Sequence, residues 1–341
     1  MQCLAATTKD YFRALSRQDR GAAVGVVSRA VETRASVAEV IEQLLVPAQI
    51  EVGIRTQHDD WSVADEHAAT AITEVVLGML AMRQPAPLPR SAPICVTTPP
   101  GEWHGLSAWM VAEGLRARRW DAIYLGSDLP DDHLGRFLSR VRPAALLLSC
   151  TTAAVLPQLT RSLDVAIDAG VPTIVGGAAC GVDDRRARAA GANAWAPDTA
   201  SAHVLLSQWV DAGVAPPPAR RAGLPADYLE LTSRRSLLVD RVTDRSAVMW
   251  AAAPTNRHQS MMRQVCSQLV DVLAASLFVD DSRLFDEHIA WVADLLESRG
   301  IPPEILWSTL DVLRSVIHIP RAEEFIASSG RRSSVRPAPP P

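Results

Sequence analysis

The sequence predicts an α/β protein: a doubly wound parallel sheet flanked in the chain by two all-helical regions. Three observations predict it. Between residues 91 and 213, short apolar runs alternate five times with amphipathic helical stretches, the order that a parallel sheet wound by crossover helices requires. On either side, residues 1–83 and 227–327 carry apolar residues at three-and-four spacing. Proline-rich linkers at 84–90 and 214–226 separate the three regions.

In chain order, helices are expected over residues 10–17, 20–33, 37–50 and 62–82. Ser36 with Glu39 three residues on reads as a capping box opening the third, and Pro47 is expected to bend or end it. Four helices with short connections predict a four-helix bundle. Strands follow at 92–97, 121–125, 144–149, 173–176 and 194–195, each succeeded by a helix. On such a sheet, ligands sit at the carboxyl ends of the strands. After the second linker the pattern is helical again, with Pro254, the run Gly300-Ile-Pro-Pro303 and Pro320 as breaks. The tail from 328 to 341 is rich in Arg, Ser and Pro and is expected to be disordered.

Composition narrows the function classes. A net charge of −4 with no Lys/Arg-rich run gives no nucleic-acid surface; Lys9 is the single lysine. The apolar runs are read as too short to cross a bilayer and no signal peptide opens the chain, so a cytoplasmic protein with no membrane partner is expected. Five scattered cysteines show no zinc spacing and read as reduced thiols.

The chemistry concentrates in the loop after the first strand, Thr97-Thr-Pro-Pro-Gly-Glu102-Trp103-His104-Gly-Leu-Ser107. An acid two residues before a histidine can orient and polarise its imidazole, the outer-shell control typical of a metal ligand. One imidazole cannot close a metal site by itself, but a macrocycle that brings four nitrogens needs only one axial ligand from the protein. Forty-one residues separate Ser107 from Ser149, and a glycine pair, Gly176-Gly177, ends the fourth strand.

This spacing resembles the base-off, histidine-on cobalamin-binding family, with Glu102-x-His104-x-x-Ser107, then Ser149-x-Thr151, then Gly176-Gly177. The acid is Glu, as in the photoreceptor branch, and the family's last glycine in the first motif is Ser107 here. The resemblance implies a flavodoxin-like B12 domain. In it His104 is the lower cobalt ligand, Glu102 its hydrogen-bond partner and Trp103 its neighbour. Ser107, Ser149 and Thr151 line the slot for the displaced dimethylbenzimidazole tail, and Gly176 and Gly177 leave room for it. Tyr124-Leu-Gly126 and Asp128-Leu-Pro130 also look typical of that domain.

The first helical region resembles the cap of methionine synthases and light-sensing cobalamin repressors through Glu51-Val-Gly53 and Ser62-Val-Ala-Asp-Glu66-His67. Where the photoreceptors place a Trp and then a His, this chain has Thr56 and Gln57, with His58 and Trp61 following. By resemblance, Trp61, Glu66 and His67 lie over the upper cofactor face, and His58, with His67 as the other candidate, takes the cobalt after illumination. Residues 1–20 already begin the bundle, so a DNA-reading helix-turn-helix is not expected. The last helical region looks globin-like, and the whole order resembles the photocobilins. That implies adenosylcobalamin together with the linear tetrapyrrole biliverdin in a light sensor rather than an enzyme, with photolysis of the Co–C bond changing conformation or oligomeric state. A light-dependent homodimer or homotetramer and a downstream protein partner of unknown identity follow from it. Arg241, Arg245, Arg257, His258 and Arg263, near Met249, Trp250, Met261 and Met262, are the residues expected to hold the bilin propionates. Alternatives weighed on the same residues are a corrinoid methyl carrier serving a methyltransferase and, for the C-terminal region, haem or no ligand.

Overall fold

The computed structural model describes residues 2–84, 86, 92–215, 217, 221, 223–250 and 256–332, without the side chains of 2–6, 256–260 and 330–332. Most of the first linker, several residues of the second, Pro254 and the tail from 333 on therefore lie outside the described residues. The chain divides into two compact units, Met1–Thr151 with Gln158–Arg220, and Thr152–Pro157 with Arg221–Pro341.

The first unit opens with helices α1 (Gln2–Ser16) and α2 (Arg20–Glu32), the second capped by Asp19, which accepts the Ala22 N–H at 2.9 Å. The capping box of Ser36 and Glu39 starts α3 (Val37–Val40) as the sequence indicates. Pro47, however, neither ends nor breaks the helix. A wide π-turn, Ile41–Leu45, precedes it, and α4 (Val46–Gln57) continues with the proline in its first turn. Proline lacks the N–H that would bond the carbonyl four residues back. That carbonyl, Gln43 O, instead accepts the Thr8 hydroxyl at 3.0 Å. Helix α5 (Val63–Ala81) carries a second capping box, Ser62 with Asp65. The helices close on one apolar core that includes Leu15, Val27, Ile41, Leu44, Val76, Leu77 and Leu80.

Five parallel strands follow: β1 (Ile94–Thr97), β2 (Ala122–Tyr124), β3 (Ala145–Ser149), β4 (Thr173–Gly176) and β5 (Ala194–Trp195). All five match the sequence expectation to within two residues at either end. Their order is β2-β1-β3-β4-β5, with Ile94 opposite Ala145 and Ser149 opposite Gly176. The chain leaves β1 towards β2 and then recrosses to β3, so the winding reverses between β1 and β3, where a doubly wound sheet opens its ligand crevice. β1 and β3 are buried throughout, as helices on both faces demand. The crossover helices are α6 (Gly105–Ala117), α7 (Asp131–Val141), α8 (Leu159–Asp168), α9 (Arg185–Ala190) and α10 (Thr199–Ala212). Helix α6 packs against β1 and β2 and also against α3 and α5 of the bundle. An ion pair of Arg118 with Glu42 at 2.7 Å adds to that contact.

The second unit is helical, as the sequence indicates: α11 (Ala226–Ser233), α12 (Arg235–Trp250), α13 (Asn256–Val279), α14 (Ser282–Ser298), α15 (Glu304–Ile317) and α16 (Pro320–Arg332). Its interior includes Trp250, Phe278, Phe285, Leu273 and Leu306, and the Trp250 indole donates to Thr309 at 3.2 Å. The breaks have local causes. Asp281 caps α14, Pro303 precedes α15, and His318 in the left-handed region with Pro320 separates α15 from α16. Against the expectation from the apolar runs, one stretch among the described residues, Met261–Val279, reaches membrane-spanning length and hydropathy, and 72% of it is buried inside the protein.

Candidate functional site

The loop from β1 to α6 lies at the reversal point of the sheet, and its conformation is fixed by short polar residues. Thr97 Oγ1 donates to the Gly126 carbonyl at 2.8 Å, and Thr98 Oγ1 to that of Glu102 at 2.8 Å. Asp128, at φ +54°, donates its N–H to Thr98 Oγ1 at 2.9 Å and accepts the Gly101 N–H at 2.7 Å. Gly101 itself has φ +85°, so glycine is the natural residue there. Gly105 starts α6 against Tyr124: a Cβ there would lie 2.6 Å from the phenol oxygen, which donates to the Gly105 carbonyl at 3.0 Å.

These contacts present Glu102 and His104. The Glu102 side chain is 0% exposed and that of His104 63% exposed. Glu102 Oε1 faces His104 Nδ1 at 2.5 Å and accepts the His104 backbone N–H at 3.1 Å; Oε2 accepts the Thr151 N–H at 2.8 Å. An ionised carboxylate only accepts, so Nδ1 carries the hydrogen and Nε2 is the nitrogen with the lone pair in the neutral ring. Nε2 is therefore the ring nitrogen that could ligate a metal. The Glu102 hydrogen bond is the largest influence raising the His104 pKa; burial opposes it, while the charges of Glu102 and then Glu66 add to the rise. Glu66 of α5 thus stands close enough to act on the ring.

The remaining residues expected in the pocket divide. Ser107 and Ser149 come together, hydroxyl to hydroxyl at 3.0 Å. Thr151 contributes its backbone N–H to Glu102 rather than its side chain. What each terminal glycine makes room for is protein backbone. A Cβ on Gly176 would meet Ala196 O at 2.4 Å, and one on Gly177, whose φ is +97°, would meet Cys150 O at 2.4 Å. Trp103 is turned outward, 74% exposed. In the bundle, Trp61 stacks on Phe12 with ring centres 5.5 Å apart, and His58 and His67 are exposed. The sequence analysis gave Thr98 no role of its own, and noted Tyr124 and Asp128 only as parts of runs typical of the resembled domain, without their hydrogen-bonding roles.

In the second unit, Arg241 and Arg245 are exposed, and Arg263 is paired with Asp240 at 2.8 Å. The side chains of Arg257 and His258 lie outside the described residues. Trp250 and Met262 belong to the core, and burial pushes the Cys266 thiol up to about 11, which makes it inert. Among the described residues, Cys95, Cys150, Cys180 and Cys266 are buried and outside any disulfide.

Among the described residues no group of three or more His, Cys, Asp or Glu side chains could hold a metal ion. A macrocycle that fills a metal's equatorial positions needs only one axial imidazole from a protein. In comparison with known families, residues 93–203 match the family described as B12 binding domain, and residues 7–81 match a second family of that description. This chain carries a B12 binding domain. The B12 binding domain places β1, α6 and β3 inside the first match and the helices of the bundle inside the second.

Solved structures that align with this chain include the monomethylamine corrinoid protein of Methanosarcina barkeri, at 17% identity and TM-score 0.49, over 58% of this chain and 96% of that one. A cobalamin-binding protein of Desulfitobacterium hafniense DCB-2 aligns at 20% identity and TM-score 0.34, over 60% and 98% of the two chains. The methanol:cobalamin methyltransferase complex of Methanosarcina barkeri aligns at 16% and 0.34, over 62% and 81%. No curated protein matches the sequence.

Proposed function

We propose that this chain is a light-responsive sensor that holds adenosylcobalamin with His104 as lower ligand and biliverdin in its C-terminal helical unit, changing conformation or oligomeric state on illumination. Adenosylcobalamin supplies a Co–C bond that light breaks. The observation that carries the cofactor reading is the buried Glu102 carboxylate held between His104 Nδ1 and the Thr151 N–H at the point where the sheet winding reverses. Glu102 fixes the tautomer and the direction of the ring, and by drawing on the Nδ1 hydrogen it makes Nε2 a better electron donor. Glu66 on α5 places a second negative charge near the same ring from the bundle side, which is how a cap helix would register a change at the cofactor. A sensor rather than a methyl carrier is supported by the helices α11 to α16, which lie beyond both B12 matches in the sequence and supply a further helical unit.

Reconstitution in the dark with adenosylcobalamin, followed by green light, tests the reading: the absorption spectrum and the size-exclusion profile should both change. If neither changes, the sensor reading fails; methyl transfer to the bound cobalt by a partner enzyme would establish the carrier instead. Addition of biliverdin should give a red absorption band that stays with the protein through gel filtration, and a band lost on the column would remove the bilin from the proposal.

A further inference from the structure

Helix α6 serves the two apolar cores of the first unit from different sides. Met110, with Leu106 and Trp109 beside it, belongs to the core of the bundle; Ala108, Ala112 and Leu115 belong to that of the sheet, against which Tyr124 packs. The rings of Trp109 and Tyr124 meet across that divide, parallel to within 1° and with centres 6.0 Å apart. The stack reaches the loop of His104, because the Tyr124 hydroxyl donates to the carbonyl of Gly105, the next residue, at 3.0 Å. Its other end is tied to the bundle. The Trp109 N–H donates to one oxygen of Glu113 at 3.2 Å, and the second oxygen accepts the side-chain amide of Gln84, just beyond α5, at 2.8 Å.

Helix α5 runs along this set. The charge of Glu66 acts on His104 and that of Glu74 on Tyr124. Gly78 faces Trp109: a Cβ there would lie 3.7 Å from the tip of the indole, in ordinary contact, and a longer side chain would have to displace it. Over about 18 Å of helix, three residues of α5 thus address the imidazole, the phenol and the indole in turn. Close-packed rings pass a displacement on rather than absorb it. We infer that Trp109 and Tyr124 are positioning residues for His104, and that they carry the placement of α5 to the carbonyl that follows the imidazole. The relevance to a cofactor rests on the cobalamin reading of the site, whereas the coupling within the protein stands without it.

The test is a double-mutant cycle in the full chain. Gly78→Leu pushes on the indole from α5, and Tyr124→Phe keeps the stack but removes the donor to Gly105. Two quantities are read: the NMR signal of the His104 Nδ1–H in the apoprotein, identified by its loss in His104→Gln, and the cobalamin affinity from absorbance. Each variant should shift the Nδ1–H signal and weaken cobalamin about fivefold, the effect of one hydrogen bond. The double variant should be no worse than Tyr124→Phe, because the path from α5 is then already cut. Gly78→Ala should match the wild type in both readouts. Effects that add in the double variant, or wild-type values of both readouts in Gly78→Leu, would overturn the inference. Should Gly78→Leu not fold, Trp109→Phe, which keeps a ring but drops the bond to Glu113, takes its place in the cycle with the same expected and overturning results. If the wild-type chain binds no cobalamin, the cofactor reading falls and the Nδ1–H signal alone decides the coupling.

Discussion

Replacing Glu102 by Gln tests the centre of the site with little change of shape. The carboxylate serves three N–H groups: His104 Nδ1 at 2.5 Å, the His104 backbone at 3.1 Å and the Thr151 backbone at 2.8 Å. An amide has one acceptor oxygen and one NH2. Whichever way it is turned, its NH2 faces an N–H from either His104 or Thr151 with no lone pair between them. The position is 0% exposed, so water does not repair the conflict. Losing one charge-assisted bond and leaving its donor buried costs about 2–4 kcal/mol of stability. Removing the outer-shell partner of a metal-ligating histidine typically costs about 10–100-fold in metal affinity, or about 1.4–2.7 kcal/mol. The largest influence raising the His104 pKa also disappears, so that pKa should fall in the apoprotein. Three measurements check this: an absorbance titration with cobalamin, thermal unfolding of the apoprotein, and an NMR titration of His104. Cobalamin bound by Glu102→Gln with wild-type affinity and an imidazole still on cobalt would refute the reasoning.

Three further outcomes follow from other parts of the chain. Gly177→Ala sets a Cβ 2.4 Å from Cys150 O at a φ of +97°, and should lower stability by about 2–4 kcal/mol in urea unfolding; a loss below about 1 kcal/mol would mean that the β4 end relaxes freely. His288, enclosed with its Nε2 unpaired, has its pKa pushed down by burial to about 4 from 6.5. Burial disfavours its charged form in the folded chain, so this contribution is intact above pH 6.5 and is lost as pH falls towards 4, by about 3 kcal/mol in all; urea midpoints from pH 7 to 4 should fall less steeply in His288→Leu, and equal slopes would count against it. Thr8→Val removes the hydroxyl that serves the Gln43 carbonyl beside Pro47 and should cost about 0.5–1 kcal/mol in thermal unfolding, whereas no change would mean that water serves the carbonyl equally well.

The sheet was legible because its strands are short buried runs whose carboxyl ends coincide with turn residues. The 92–97 run and the run ending at Ser149 could hardly be read otherwise. Glu102 and His104 were legible because the acid and imidazole after the first strand stand at a recognisable spacing from Ser149 and from Gly176-Gly177. Other features depended on partners remote in sequence. Ser107 was placed as a slot lining, but its bond to Ser149, 42 residues away, is a tertiary fact. Pro47 was read by its local rule, and the rule gave way because a widened turn and the hydroxyl of Thr8 accommodate the proline. Trp61 was expected over the upper cofactor face by resemblance, and its stacking on Phe12 of α1 depends on helix packing that the sequence does not display. In the C-terminal unit, an arginine-biased composition hides which cations are spent, and the pairing of Arg263 with Asp240 needs helix packing to be seen.

The stitching of the β1 loop to the loop after β2 has a thermodynamic consequence for affinity. Thr97, Thr98, Gly101 and Asp128 hold the backbone around the imidazole before anything docks. Freezing a mobile segment costs about 1–2 kcal/mol for each residue ordered. A rigid cradle spends that entropy during folding, once, rather than at every encounter. Arrival of a bulky macrocycle then resembles a plug meeting a socket already moulded, and exchange of one corrinoid for another need not wait for the chain to rearrange.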